Sequence, residues 1–209
     1  MSVPDKSIDP RLLSAAMEEF LEMGYEKASL KNICSKAGVT TGALYKRYKG
    51  KEDLFGALVT DLIRDMEKYM TSIPDEVLKS FTDRELYESL SMPTEMVIAW
   101  FQLLYEQKDA FTLLVKCSSG TKYASFNSEW AGRMNEIDYM NYLEARKRGM
   151  TDKIVTEEEM YCLTSAIWAL FYMPFARGFT WEQIVEHAQY LHDFVNLHKA
   201  LGIKEPIEK

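Results

Sequence analysis

The chemistry this sequence offers most openly is fixed positive charge. Between Lys27 and Lys51 stand seven basic residues (Lys27, Lys31, Lys36, Lys46, Arg47, Lys49 and Lys51) and no Asp or Glu. Cationic side chains spaced along a short segment are suited to neutralising phosphates. The 209-residue chain carries a formal net charge of −7, yet residues 1–70 balance at 11 basic and 11 acidic residues, while residues 71–209 hold 14 and 21. A phosphate backbone responds to charge within a Debye length of about 8–10 Å, so the local excess matters more than the sum. A solvated basic loop is the plainer reading of the same run, and charge alone does not separate the two.

Other reactive side chains are arranged less productively. His187, His192 and His198 are five and six residues apart on one predicted helix, so they do not share a face as a metal pair would. Glu157, Glu158 and Glu159 open a predicted helix, where the dipole favours acids. No glycine-rich phosphate loop and no nucleophile motif is present, so neither catalysis, a cofactor nor a metal is expected. Cys34, Cys117 and Cys162 are scattered and odd in number, the pattern of reduced thiols in a cytoplasmic protein. The N-terminus MSVPDKSIDP lacks an apolar leader region, and no apolar run is long enough to span a membrane.

The elements that must position the basic run are helices. Hydrophobic residues make up 47% of the chain, with only 10 Gly and 6 Pro, a balance that suits a helix-rich globular protein. Asp9-Pro10 reads as a helix start, followed by a stripe of Leu13, Ala16, Met17, Phe20 and Leu21 that Gly24 ends. Ser29 caps a short second helix bearing Leu30, Ile33, Cys34 and Ala37. Gly38-Val39 breaks it, and Thr40-Thr41 caps a third helix running to about Tyr48. A fourth runs from about 51 to 70 with Leu54, Leu58, Leu62 and Met66 in its stripe. Further helices follow: one or two over 74–90 broken near Phe81-Thr82-Asp83, then 92–107, 108–116 and about 126–148. Thr156-x-x-Glu159 and Thr180-x-x-Gln183 are capping boxes for the last two, the final one running past Val195 and His198 to Gly202. No strand alternation occurs, so the fold class is all-α.

Two short helices joined by a tight glycine turn, the second polar and basic, have the layout of a helix-turn-helix. The spacing places Cys34 where the helices cross and Gly38 in the turn, with Val39 and Leu44 as apolar anchors. Thr40, Thr41, Lys46 and Arg47 then point outward, and Gly42 lets the backbone approach a ligand closely. Such a helix can enter a major groove about 12 Å wide.

The run GYEKASLKNICSKAGVTTGALYKRYKGKEDLF, Gly24 to Phe55, resembles the DNA-binding domain of TetR-type repressors. Glycines, aromatics and the terminal Lys-Glu fall in register; Cys34, Arg47 and Tyr48 depart from the usual residues without breaking the pattern. The resemblance implies base contacts from Thr40, Thr41 and Lys46, and phosphate contacts from Ser29, Tyr45, Arg47 and Lys51. It also implies a DNA-binding domain over 1–52, joined through helix four to an effector-binding and dimerisation domain over 53–209.

Expected partners are therefore a double-stranded operator, a second copy of the chain, and a small, largely apolar effector. A homodimer matches two half-sites about 34–36 Å apart. Its interface is expected on the last two helices, from Ile167, Leu170, Phe171, Ile184, Ala188, Leu191 and Val195. All four tryptophans and seven of the twelve methionines lie beyond residue 71, and Met96, Trp100, Tyr105, Met134, Trp168 and Tyr172 are candidates for an adaptable pocket. Met and aromatic residues at helical spacing also build ordinary cores. A regulator controlled by a partner protein on its acidic C-terminal surface is the alternative.

Overall fold

The 3.6-residue hydrophobic spacing becomes helix throughout. The computed structural model describes residues 8–70 and 74–206; residues 1–7, part of the segment read as lacking a leader, lie outside the described residues. The helices are α1 (Ile8–Lys27), α2 (Leu30–Ala37), α3 (Thr41–Tyr45), α4 (Lys51–Tyr69), α5 (Asp75–Ser80) and α6 (Asp83–Ser89). They continue as α7 (Thr94–Glu106), α8 (Lys108–Lys116), α9 (Phe126–Lys147), α10 (Glu157–Ala176), α11 (Trp181–Phe194) and α12 (Leu197–Leu201). Among the described residues there is no strand, and no helix is long and apolar enough to cross a membrane. The chain divides into two compact units, residues 1–68 with 104–126, and residues 69–103 with 127–209.

In the first unit α1 buries Leu12, Ala15, Ala16 and Phe20. Ile8 is already helical, so Asp9 lies inside the first turn and is not the cap expected there. Gly24 breaks the helical path with φ 71° and ψ 161°, a backbone geometry that favours glycine. Ser29 stands at the α2 N-cap but its side chain makes no capping bond. Its N–H instead donates to the carboxylate of Glu19, which also accepts from Asn32 and pairs with Lys36 at 3.2 Å. Burial works to raise the pKa of Glu19, but these bonds outweigh it and hold the carboxyl below its ordinary value.

α4 supplies Leu54, Phe55, Val59 and Leu62 to the same core. Phe55 meets Phe20 edge-on at 5.2 Å, Tyr25 at 5.6 Å and Tyr123 at 5.9 Å between ring centroids. The Tyr25 N–H donates to the Cys117 carbonyl at 3.1 Å. Burying a phenylalanine such as Phe20 or Phe55 contributes about 2–3 kcal/mol. These contacts move the domain boundary: α4 and residues 104–126 belong with the helix-turn-helix, whereas a division at residue 52 would cut through its core.

In the second unit three capping boxes start helices. Thr156/Glu159 and Thr180/Gln183 open α10 and α11, and Thr82/Glu85 opens α6. The last helix is not continuous. Val195 leaves the helical path, Asn196 accepts from the Lys199 N–H to start α12, and Gly202 ends it in the left-handed region. Val195 and His198 therefore do not extend the α11 face.

The predicted dimer face needs correction as well. Ile184, Ala188 and Leu191 are buried within the single chain, Ile167 and Phe171 nearly so, and Leu170 and Val195 are half-buried. A side chain with no exposed surface has none to give to a partner, so most of this set is internal core. The apolar residues left outside include Leu163, Ala166 and Met173 on α10, and Val185, Tyr190 and Phe194 on α11.

Candidate nucleic-acid interface and effector cavity

The turn between α2 and α3 is built by local rules. Gly38 ends α2 at φ 65°, and the Val39 N–H returns to the Cys34 carbonyl at 3.0 Å. Thr40 caps α3, its hydroxyl accepting from the Ala43 N–H at 3.2 Å. Leu44 is wholly buried and anchors the helix. Regular α3 stops at Tyr45, earlier than the spacing predicts, although N–H groups of Arg47 and Tyr48 still return to the Leu44 carbonyl.

The anchored helix leaves one face open. Thr40, Thr41, Gly42 and Lys46 are exposed, and Tyr45 is 59% exposed. Lys27, Lys31, Lys46 and Lys49 make no ion pair among the described residues. Gly42 is informative because the fold does not demand it. Its φ is not positive, and an added Cβ would meet nothing nearer than the Thr40 hydroxyl at 3.8 Å. A helical glycine costs about 1 kcal/mol relative to alanine, and here the chain gains no internal packing in return.

Two expected phosphate ligands point elsewhere. Arg47 turns back to α1, with Nε 2.8 Å from the Asp9 carboxylate and Nη1 donating to the Ala43 carbonyl at 3.2 Å. Lys51 is more fully engaged. Its ammonium donates to the carbonyls of Tyr25 at 2.6 Å, Glu26 at 3.1 Å and Ala28 at 3.1 Å, and lies 4.5 Å from the Tyr25 ring centroid. An ammonium has three protons, and all three are used. Arg47 and Lys51 thus hold the helix-turn-helix together, and neither presents a free head to a phosphate.

The second unit contains a cavity of about 340 Å³. It brings together Met96, Trp100, Met134 and Trp168 of the predicted pocket, and adds Trp130, Asp138 and Asn141, which the sequence reading missed. Tyr105 and Tyr172 are not among the residues that line it. Tyr105 has the Lys108 ammonium 5.2 Å from its ring, and Tyr172 packs behind Trp168 at 5.9 Å. Trp168 donates its indole N–H to Asn127 at 3.2 Å. Asp138 falls in the apolar stripe of α9, four residues after Met134; a lone acid in such a stripe was the signal to follow. The three histidines sit apart from the cavity, each ring nitrogen against a backbone carbonyl: Leu170 for His187, Met92 for His192 and Tyr87 for His198.

Residues 12–58, which run from α1 through the open face of α3 into α4, match the family described as bacterial regulatory proteins, tetR family. YdgC, an HTH-type transcriptional regulator of Bacillus subtilis (strain 168), is 32% identical over 99 residues, 47% of this chain and 48% of that protein. PksA, an HTH-type transcriptional regulator of the same organism, is 27% identical over 159 residues, 75% of each. The chain thus spans about half the length of the first relative and three quarters of the second. A solved member of the TetR transcriptional regulator family from Streptomyces coelicolor A3 superposes with a TM-score of 0.58 at 19% identity, covering 94% of both chains. That likeness is one of fold, and it extends well past the matched N-terminal segment. Residues 12–58 thus carry the sequence pattern of the DNA-binding segment of tetR-family regulators, and the chain as a whole shares the fold of a solved TetR-family member.

Proposed function

We propose that this chain binds a palindromic operator as a homodimer, inserting α3 into the major groove of each half-site, and represses transcription until a small effector enters the cavity of the second unit. The observation that carries the reading is the open face of α3, where Thr41, Gly42, Tyr45 and Lys46 make no use of their exposure within the chain. Base edges are read by hydroxyl and ammonium groups at such positions, while phosphates are held by cations around them. Lys27, Lys31 and Lys49 supply the surrounding charge, in place of Arg47 and Lys51. For the dimer, the exposed stripe of Leu163, Ala166 and Met173 on α10, with Val185 on α11, is the surface that supports a two-fold contact. Effector binding that favours one state of the protein by about 1–3 kcal/mol would change operator affinity roughly 5–150-fold.

Gly42→Ala tests the reading with two effects of opposite sign. The substitution should stabilise the protein by about 0.5–1 kcal/mol in chemical denaturation, because alanine favours helix and has room. It should also weaken binding at least tenfold to duplexes that the wild type selects from a randomised pool, because the Cβ occupies the space of close approach. Undiminished DNA binding by Gly42→Ala would remove the groove insertion of this face.

A further inference from the structure

The cavity of the second unit has walls of one kind and a floor of another. Trp100, Trp130 and Trp168 present indole rings, with Met96 and Met134 between them. Tyr69 extends the aromatic wall, 5.4 Å from Trp100 between centroids, and Trp130 lies 5.9 Å from Trp168. Into this apolar space α9 places Asp138. Among the described residues that line the cavity it is the only Asp, Glu, Lys, Arg or His.

No cation among the described residues that line the cavity neutralises that carboxylate. Its helical neighbours at three and four residues are Met134, Asn135, Asn141 and Tyr142, none of them a cation. From α10 it meets the hydroxyl of Thr164, and the residues that line the cavity with it from α4, α6, α7 and α12 (Tyr69, Ser89, Met96, Val97, Trp100 and Leu197) are neither acidic carboxyls nor cations. The charged neighbours on α9 itself, Arg133 and Glu136, are exposed and do not line the cavity. Asp138 is half-buried among these apolar walls, where a carboxylate is costly unless it is paired, so its natural complement is a positive charge that arrives with a ligand. Indole faces attract the same charge. Trp130 already has the Arg133 guanidinium 5.8 Å from its ring, and desolvated cation–π contacts of this kind are stronger than exposed ones.

We infer that the effector is an amphipathic organic cation, a protonated amine or quaternary ammonium on an aromatic or aliphatic body, whose charge is received by Asp138 and whose body is enclosed by Trp100, Trp130 and Trp168. The inference rests on the reading of this cavity as the effector site and adds the class of molecule it selects. A neutral apolar compound of the same shape fits the walls but leaves Asp138 without its partner. Desolvation holds the Asp138 carboxyl up to about 7, so the empty site binds a proton where the occupied site binds the ligand's charge.

The test compares benzyltrimethylammonium with neopentylbenzene, its uncharged isostere, by tryptophan quenching and calorimetry on the full chain. At pH 8 the cation should bind at least about tenfold more tightly than its isostere. Below pH 7 that preference should shrink by up to about tenfold per pH unit as Asp138 takes up a proton, while the isostere's affinity stays flat. Asp138→Asn should abolish the preference and keep the isostere's affinity within about twofold, showing that the cavity is intact. Equal affinity for the two compounds in the wild type, or a preference that survives in Asp138→Asn, overturns the inference and leaves the effector cavity standing. Failure of both compounds to bind the wild type overturns the cavity reading along with it.

Discussion

Lys51→Met should destabilise the protein by about 3 kcal/mol in chemical denaturation, a far larger cost than a surface lysine carries. The methionine keeps the apolar stem but removes three charge-assisted hydrogen bonds, to the carbonyls of Tyr25, Glu26 and Ala28, together with the contact to the Tyr25 ring. These carbonyls lie just beyond the Gly24 break, where α1 ends and a cation completes its C-terminal dipole. Lys46→Met is the control. Lys46 is exposed and makes no ion pair among the described residues, so its loss should cost under about 0.5 kcal/mol of stability. It should instead reduce the salt dependence of DNA binding by about one counterion. The reverse pattern, a stable Lys51→Met with a reduced salt slope, would mean that Lys51 leaves the carbonyls to bind phosphate.

Asp138→Asn should make the protein more stable, and increasingly so as pH rises. Desolvation pushes the carboxyl from its ordinary value of 3.8 up to about 7, so the folded state holds its proton more tightly than the unfolded chain. Stability from this source is complete below about pH 4 and is lost as pH rises through about 7. The wild type should therefore weaken across that window by up to about 4 kcal/mol relative to Asp138→Asn, whose stability does not follow this titration. Thermal melts at pH 5 and pH 8 give the comparison, and parallel curves for the two proteins would show a carboxyl that titrates normally. A desolvated carboxylate that lowers stability, with no cation beside it among the described cavity residues, is what a ligand-binding role leaves behind.

Much of the architecture was legible because local rules decide it. Gly38 after the stripe of α2, Thr40 before α3 and the two Thr-x-x-Glu/Gln boxes each satisfy orphan backbone groups, and each marks a helix end where the structure has one. What the sequence hid depends on reach and on distant neighbours. Arg47 and Lys51 sit in an acid-free run, yet their long side chains find Asp9 and the carbonyls of Tyr25, Glu26 and Ala28. α10 is apolar on most of its circumference, so periodicity could not say that Ile167 and Phe171 face inward while Leu163 and Met173 face out. At the end of α11 the apolar period continues through Val195, which masked the capping signal of Asn196. Asp138 was overlooked for a related reason: the stripe around it was read for its apolar members alone.

Sequence selection from a randomised duplex pool, run with the wild type and with Thr41→Ala, reaches the α3 interface most directly. The wild type should enrich a two-fold symmetric site whose half-sites are centred about 10 base pairs, or a multiple of that, apart. Thr41→Ala should change the preferred base at one position in each half-site and leave the spacing alone. If the wild type enriches no sequence, or Thr41→Ala enriches an identical site with undiminished strength, α3 is not the element that reads DNA.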